Sequence, residues 1–226
     1  MKKIKYDTNK LIDIRNSLLA EYGSGDWWPA STPFEVMCGA ILTQNTVWQN
    51  VEAAFDNLGR DKTPRQILDL PMAELADAIR PSGYFNQKAK RIKALAQWYI
   101  DGGGEVSAFD GIEKTRLREM LLSVNGVGFE TADSILLYAF HRPVFVVDAY
   151  TRRLFDRLGF DIPRSYEDFA ACFHEALEPN TEMYAQYHGL IVEHSKVRCF
   201  KKSPDCESCP LSTFCAFAID NRTKIV

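Results

Sequence analysis

The chain lacks any uninterrupted apolar run long enough to cross a membrane, and it carries no segment with the pattern of a secretory signal peptide. We therefore expect a cytoplasmic protein with no membrane partner, in a reducing compartment where disulfides do not form. Internal repeats and low-complexity linkers are also missing. Hydrophobic residues make up 46% of the chain and charged residues 25%, which is typical of a globular enzyme and excludes a disordered protein.

A positive charge balance is absent too. The 27 lysine and arginine residues are outnumbered by 30 aspartate and glutamate residues, so the net charge is −3. Net charge alone therefore does not indicate a nucleic-acid partner, but phosphate binding depends on local charge. The basic residues are grouped, and the groups predict a basic face near the motifs described below. They are Lys88, Lys90, Arg91 and Lys93; Arg152, Arg153 and Arg157; and Lys196, Arg198, Lys201 and Lys202.

Strand signals are nearly absent, whereas helical periodicity recurs along the chain. Short spacers with Gly, Pro, Asn or Ser separate the periodic segments. The pattern predicts an all-α fold of about ten helices. The predicted helices span 6–22, 33–43, 46–58, 63–70, 72–79, 87–102, 113–123, 129–141, 149–158, 165–177 and 181–195.

Four of the six cysteines lie close together near the C-terminus, with the spacing C-x6-C-x2-C-x5-C. Such a group predicts a metal site in a reducing compartment. Structural zinc sites usually combine two tight cysteine pairs, whereas one C-x-x-C between longer spacers favours an iron–sulfur cluster. Both metals remain open on spacing alone. The four are Cys199, Cys206, Cys209 and Cys215; the other two, Cys38 and Cys172, are predicted to be small core residues.

Residues 117–140 predict two helices joined by the turn Asn125-Gly126-Val127-Gly128. Both glycines can adopt the positive φ that a tight hairpin needs. They also leave the amides at the start of the second helix uncovered, and such amides attract an anion like a DNA phosphate. After an apolar stretch, Asp148 precedes the next helix. It is expected to be an N-cap, and it is also a candidate for acid–base or electrostatic catalysis.

The hairpin, the aspartate that follows it and the four-cysteine segment, in this order and spacing, resemble the endonuclease III branch of the helix–hairpin–helix DNA glycosylases. The resemblance extends from about residue 10 to residue 217. It implies two helical domains. Residues 26–141 form a six-helix barrel with the helix–hairpin–helix, and residues 1–25 and 142–226 form a domain that carries a [4Fe–4S] cluster. The active-site cleft of the family lies between the two domains.

The resemblance also implies roles for individual positions. Asp148 matches the catalytic aspartate, and Gln44 matches the residue that fills the gap left in DNA by a flipped nucleotide. The implied DNA-binding residues are Gln44, Asn45, Gly126, Val127 and Gly128. The implied ligands of the [4Fe–4S] cluster are Cys199, Cys206, Cys209 and Cys215.

One position departs from the endonuclease III pattern. In bifunctional members, a lysine stands two residues after the last glycine of the hairpin and attacks C1′ of the sugar with its amine. This chain has Glu130 there, and a carboxylate cannot form a Schiff base. The departure predicts a monofunctional DNA N-glycosylase that lacks AP-lyase activity and leaves an abasic site.

The expected base pocket contains Trp27, Trp28, Pro29, Trp48 and Glu130. The Trp-Trp-Pro sequence, the aromatic residue after Gln-Asn-Thr and the glutamate after the hairpin are similar to the bacterial 3-methyladenine glycosylases of this superfamily. The matching residues in those enzymes sandwich the flipped base. Indole faces favour a cationic alkylated purine, so we expect excision of a base such as 3-methyladenine. The cysteine segment is a departure from that resemblance, because those enzymes lack the cluster.

Two other functions fit the same motifs. One is an oxidised-pyrimidine or mismatched-base glycosylase that uses Asp148 with a different pocket. The other is a non-catalytic iron–sulfur DNA-binding protein in which Asp148 remains only as a helix cap. For each function the expected partner is double-stranded DNA. If the protein is an enzyme, this DNA contains a damaged base. We expect a monomer that is nucleoid-associated when bound to DNA.

Overall fold

The computed structural model describes residues 4–25, 27–59 and 62–223, with the backbone alone for residues 221–223. No β-strand occurs within these ranges, so the predicted all-α fold is confirmed. Short 3₁₀ turns lie at Arg80–Ser82 and Val106–Phe109. The α-helices are α1 (Thr8–Tyr22), α2 (Pro33–Leu42), α3 (Trp48–Leu58), α4 (Pro64–Asp69), α5 (Met72–Ala78), α6 (Phe85–Asp101), α7 (Lys114–Leu122), α8 (Phe129–Tyr138), α9 (Ala149–Arg157), α10 (Tyr166–Ala176), α11 (Thr181–Val197) and α12 (Ala216–Thr223).

The helices form two compact units. Trp28–Arg142 form one unit, called here the central unit, and Met1–Trp27 with Pro143–Val226 form the other, called here the terminal unit. Asp26, the expected first residue of the barrel domain, lies outside the described residues. None of the helices in the described ranges is both long and apolar enough to cross a membrane.

Helix α2 lies at the core of the central unit. Thr32 accepts a hydrogen bond from the backbone N–H of Glu35 at 3.1 Å, and Pro33 occupies the first turn, where its missing N–H costs nothing. All residues from Phe34 to Leu42 are buried, as expected for a helix surrounded by others. Helices α3, α6 and α8 pack against it.

The terminal unit has an aromatic core. The ring of Phe145 stacks on Phe173 with a centroid distance of 4.1 Å, and it meets Tyr184 and Tyr187 edge-on at 5.4 and 5.5 Å. Burying one such ring stabilises the fold by about 1.5–3 kcal/mol relative to leaving it exposed. This packing fixes the segment without regular secondary structure that ends at Asp148, immediately before α9.

Helix α8 ends at Tyr138, earlier than the predicted end at residue 141. Ala139 forms the C-cap, and His141 has a φ of +51°, which no helical residue adopts. The following Pro143 lacks an N–H and cannot continue a helix. Helix α12 was not predicted, because its eight residues follow the cysteine segment without a clear apolar period.

Candidate active site and cysteine cluster

Helices α7 and α8 form the helix–hairpin–helix. Gly126 has a φ of +87°, and a Cβ atom there would lie 2.3 Å from the Cγ and Cδ atoms of Arg91. The turn therefore requires glycine for its backbone conformation and for space. Val127 is buried, and its N–H donates to the carbonyl of Val124 at 3.1 Å. The hairpin is thus a rigid turn held in the central unit.

Gly128 differs from the prediction of a positive φ. Its φ of −95° and ψ of −177° are extended and open to any residue. It is the N-cap of α8, provides no capping side chain, and a Cβ atom there would meet nothing within 4 Å. The space before the first turn of α8 is therefore open. The helix dipole favours an anion at such a position.

The two arms of the hairpin are joined by an ion pair. Arg118 of α7 donates from Nε to Oδ1 of Asp133 at 2.6 Å and from Nη2 to Oδ2 at 3.0 Å. The Asp133 side chain is only 1% exposed. A buried bidentate pair of this kind fixes the angle between α7 and α8.

The side chain of Gln44 is bound to the hairpin. Its Nε2 donates to the carbonyl of Gly126 at 3.1 Å and to Oγ1 of Thr131 at 2.9 Å, and Arg91 donates to its Oε1. The next residue, Asn45, is exposed with a φ of +54°. The structure therefore brings Gln44 to the hairpin, while Asn45 lies on the surface.

Two of the predicted pocket tryptophans contact each other in the central unit. The rings of Trp28 and Trp48 meet edge-on at 5.9 Å, and Trp28 also lies 4.8 Å from the ring of Tyr138. Gly39 admits the Trp28 indole, because a Cβ atom there would lie 3.3 Å from it. Trp28 is thus held from two sides, while Trp48 begins α3. The sequence did not indicate the third ring, Tyr138.

Trp27 and Pro29 have other surroundings. Trp27 packs on the backbone of α11 in the terminal unit, where a Cβ atom at Gly189 would lie 2.1 Å from its Cγ. Its Nε1 is buried and has no hydrogen-bond partner in the described protein. Pro29 is exposed in the segment before α2. Trp27 therefore packs within its own unit, whereas Trp28 and Trp48 form a pair in theirs.

Glu130 lies in the first turn of α8 and is exposed. Its backbone carbonyl accepts a hydrogen bond from Oγ of Ser134 at 2.8 Å. A negative side chain at this end of a helix interacts favourably with the helix dipole. The residue therefore suits its helix and brings no amine to this position.

Asp148 is the N-cap of α9, as predicted. Its Oδ1 accepts hydrogen bonds from the backbone N–H of Thr151 at 2.7 Å and from Oγ1 of Thr151 at 2.9 Å. Its Oδ2 lies 3.5 Å from Nε2 of His188 on α11. Burial alone would raise the pKa of Asp148, but the hydrogen bond and charge of His188, with the two bonds from Thr151, hold this pKa below its ordinary value. The carboxylate is therefore ionised at neutral pH.

The four clustered cysteines surround one cavity in the terminal unit. All six cysteines of the chain are free thiols. Burial raises the pKa of Cys209 to about 11, so metal binding there must displace protons. Across the described ranges, His, Cys, Asp and Glu side chains form no group of three or more arranged to hold a metal ion. The fit to a cluster rests on the shared cavity, which is lined by Cys199, Cys206, Cys209 and Cys215.

Arginines organise the chain around this cavity. Arg157 donates to Sγ of Cys199 at 3.1 Å and to the carbonyl of Phe200 at 2.8 Å. Arg153 donates to the carbonyl of Cys199 at 3.0 Å. Arg198 pairs with Glu21 at 2.6 Å. Positive charge beside a thiolate stabilises its ionised form, so these contacts suit an anionic metal–thiolate group.

These contacts narrow the predicted basic face, in which Lys90, Lys196, Lys201 and Lys202 remain exposed. Lys88 is 1% exposed, and its Nζ donates to the carbonyls of Leu42 at 2.8 Å and Ser82 at 2.7 Å. Lys93 donates to the carbonyl of Leu68 in α4, and Arg153 and Arg157 are bound to the cysteine segment. A run of basic residues on a helix does not specify how many of them face inwards, so the sequence overstated the surface charge.

Known proteins resemble the chain over most of its length. A Methanocaldococcus jannaschii protein named as a DNA repair glycosylase is 44% identical over 95% of this chain and 99% of its own. The endonuclease III of Sulfolobus acidocaldarius is 30% identical over 83% of each chain. An H. pylori 3-methyladenine DNA glycosylase, solved with 1,N6-ethenoadenine, has a TM-score of 0.72 and 31% identity over 84% of this chain and 98% of that one.

An endonuclease III–DNA complex superposes with a TM-score of 0.81 over 96% of this chain and 99% of that chain, at 23% identity. This likeness concerns the fold. The family described as the HhH-GPD superfamily of base excision DNA repair proteins matches residues 38–179, more than half of the 226 residues. The chain therefore belongs to the HhH-GPD superfamily of base excision DNA repair proteins and is a DNA glycosylase.

Proposed function

We propose that the protein is a monofunctional DNA glycosylase that hydrolyses the N-glycosidic bond of a cationic alkylated purine such as 3-methyladenine and leaves an abasic site. The observation that carries the proposal is Glu130, an exposed carboxylate in the first turn of α8. Strand cleavage by β-elimination needs an amine that attacks C1′, and this position offers none.

Two lysines of the central unit are unsuited to replace the missing amine. Lys88 has a pKa lowered to about 8 by burial and by the charge of Arg91, as a nucleophilic lysine often has. Its ammonium, however, is buried and donates to two backbone carbonyls, and the ammonium of Lys93 donates to the carbonyl of Leu68 at 2.7 Å. Lysines held in this way have structural roles.

The proposed substrate follows from the aromatic residues of the central unit. Trp48 begins α3 and is supported edge-on by Trp28. We assign Trp48 as the ring on which the flipped base stacks. An electron-rich indole face attracts a cationic purine by about 0.5–2 kcal/mol more than a neutral one. The 31% identity with the H. pylori 3-methyladenine DNA glycosylase supports this choice.

Asp148 is the proposed catalytic residue. An alkylated purine is already a good leaving group, so strong acid catalysis is unnecessary. The ionised carboxylate stabilises the positive charge that develops on the sugar and orients the attacking water. Its lowered pKa keeps this charge in place at neutral pH.

The hairpin is the proposed phosphate-binding element. Gly126 gives the turn its shape, and Gly128 leaves the N-terminus of α8 open to a phosphate. A phosphate contact of this kind positions the duplex without reading its sequence. Gln44 and Asn45 are proposed to contact the DNA as well, which requires Gln44 to release its bonds to the hairpin.

We further propose that the four clustered cysteines bind a [4Fe–4S] cluster. When bound, the cluster supplies folding energy to a segment with little apolar core of its own. Cys206→Ser should give poorly soluble protein with little iron. Cys172→Ser is the matched control, because Cys172 bonds two carbonyls that a hydroxyl also satisfies. Stoichiometric zinc in place of iron and sulfide in the purified protein would end the iron–sulfur assignment.

A screen of duplexes tests the proposed function. Each duplex carries one alkylated, oxidised, deaminated or mismatched base, and the products are resolved with and without alkali. We expect release of 3-methyladenine and an intact strand until alkali is added. Release of thymine glycol without 3-methyladenine would instead establish the oxidised-pyrimidine alternative, and release of no base would establish the non-catalytic one.

A further inference from the structure

A buried pair of titratable side chains lies at the start of α9. Oδ2 of Asp148 is 3.5 Å from Nε2 of His188, and the two side chains are only 14% and 9% exposed. No pattern in the sequence indicated this histidine, which lies on α11 and far along the chain from Asp148. Removing the partner of a buried carboxylate leaves its charge uncompensated.

The two oxygens of Asp148 have separate partners. Oδ1 accepts both hydrogen bonds from Thr151, so this oxygen alone completes the N-cap of α9. A cap needs one acceptor oxygen and no histidine. Oδ2 faces His188 instead. The pairing with His188 is therefore additional to what the helix requires.

The position of His188 is fixed by its neighbours on α11. The hydroxyl of Tyr187 donates to the carbonyl of Leu11 at 2.9 Å, and this tyrosine is fully buried. On the other side, Gly189 packs directly against Trp27, leaving no room even for a methyl group. Helix α11 cannot rotate or slide here without losing these contacts. The imidazole is thus held where it meets Asp148.

We infer that His188 is a positioning residue for Asp148, whose Oδ2 it holds in one orientation and in the ionised state during base excision. The inference rests on the proposed catalytic role of Asp148. A carboxylate that is already oriented and ionised needs no rearrangement as positive charge develops on the sugar, which is the main advantage of a preorganised site.

The pH dependence of excision follows from the surroundings of Asp148. Among the described residues, the titratable group that faces it is His188 on α11, and the polar group from its own helix is Thr151. Burial raises the pKa of Asp148, and these partners lower it to a net value below the ordinary one. Without His188 this pKa rises. The acid limb of the pH–rate profile, where the excision rate falls at low pH, should therefore move to higher pH.

The pair also makes a contribution to the free energy of unfolding that depends on pH. Because the folded-state pKa of Asp148 is lowered, its contribution is present above the unfolded-state pKa and is lost as the pH falls through the folded-state pKa. His188→Leu should therefore lower the melting temperature at neutral pH more than at acid pH. A residue that only filled space would lower it equally at both.

The experiment compares His188→Leu and His188→Gln with the wild type in single-turnover excision across the pH range. The substrate is a duplex carrying 3-methyladenine or whichever base the screen identifies. We expect His188→Leu to lose about tenfold or more of the rate at neutral pH and to shift the acid limb upwards. His188→Gln, whose amide can donate a hydrogen bond to Oδ2, should recover most of the neutral rate. Binding to abasic-site DNA should be unchanged in both.

The double variant Asp148→Asn/His188→Leu separates this inference from the proposed function. In the Asp148→Asn background, losing His188 should lower the rate no further, because the group it acts on is gone. An unmoved acid limb, or equal losses in the Leu and Gln variants, would overturn the role of His188. A near wild-type rate for Asp148→Asn alone would instead overturn the catalytic assignment of Asp148.

Discussion

Helices α8 and α9 begin in opposite ways. At α9 the N-cap is Asp148, whose Oδ1 bonds Thr151 and whose Oδ2 faces His188, so the helix end is closed by a buried charge. At α8 the N-cap is Gly128, which provides no capping side chain and has open space where a Cβ atom would lie. One helix end is complete within the protein, and the other leaves room for an external anion.

Under the proposed function, the two helix ends serve different purposes in this DNA glycosylase. A capping carboxylate stabilises α9, and in the proposed mechanism the same carboxylate provides a fixed negative charge for the sugar. At α8 the fold gives up a stabilising cap and keeps a position that a phosphate can occupy. Substitutions at the two helix ends should therefore affect different steps: base excision at α9 and DNA binding at α8.

Asp148→Asn should have the largest effect. Asparagine caps a helix as well as aspartate, so α9 should remain folded while the charge is lost. We expect single-turnover excision to fall by about 10²–10³-fold. Binding to abasic-site DNA, measured by fluorescence anisotropy, should stay near the wild-type value. A parallel loss of binding would mean that the two helix ends do not act on separate steps.

Gly128→Val should come next. Its side chain enters the open space before α8 and should weaken binding to every duplex, whatever its sequence, by roughly 10- to 100-fold, the value of one charge-assisted hydrogen bond. Gly126→Ala is the matched control. It should lower the melting temperature instead, because its φ is +87° and Arg91 fills the space. Unchanged binding by Gly128→Val would show that α8 does not hold a phosphate.

Trp48→Leu should have a narrower effect, confined to the damaged base. Losing one stacking face costs about 1–3 kcal/mol, so the preference for damaged over undamaged DNA should fall while the fold is kept. Trp28→Leu should mainly destabilise the protein, because Trp28 packs on Tyr138 and Gly39. Thermal unfolding and competition binding of both variants distinguish the two roles. If Trp48→Leu kept the preference for damaged over undamaged DNA, Trp48 would not be part of the base pocket.

Features set by short sequence patterns were predictable. Helical periodicity gave the all-α fold, and the aspartate before α9 gave its cap. The turn at Gly126 followed from the glycines, but Gly128 was expected to share its positive φ and is extended instead. The sequence showed two glycines and no reason to treat them differently. The difference follows from position, because Gly128 is the N-cap of α8 and N-cap residues are usually extended, whereas Gly126 lies within the turn.

Contacts between distant segments were not predictable from one chain. His188 meets Asp148 because α9 and α11 pack together, and no local pattern marks it. Lys88 belongs to a basic run on α6, yet it is buried against two carbonyls. The chemical departure at Glu130 was visible from the sequence, because it needs only the position of a residue after the hairpin.

Borohydride trapping tests the absence of an amine nucleophile, the central claim, most directly. The wild-type protein is mixed with a duplex carrying its preferred base, with a bifunctional endonuclease III as the positive control. A Schiff base between a lysine and C1′ would be reduced to a permanent adduct. The account predicts no adduct and an intact strand, alongside full base release. A wild-type adduct would contradict it, and peptide mapping would then identify the lysine, with Lys88 the first to examine.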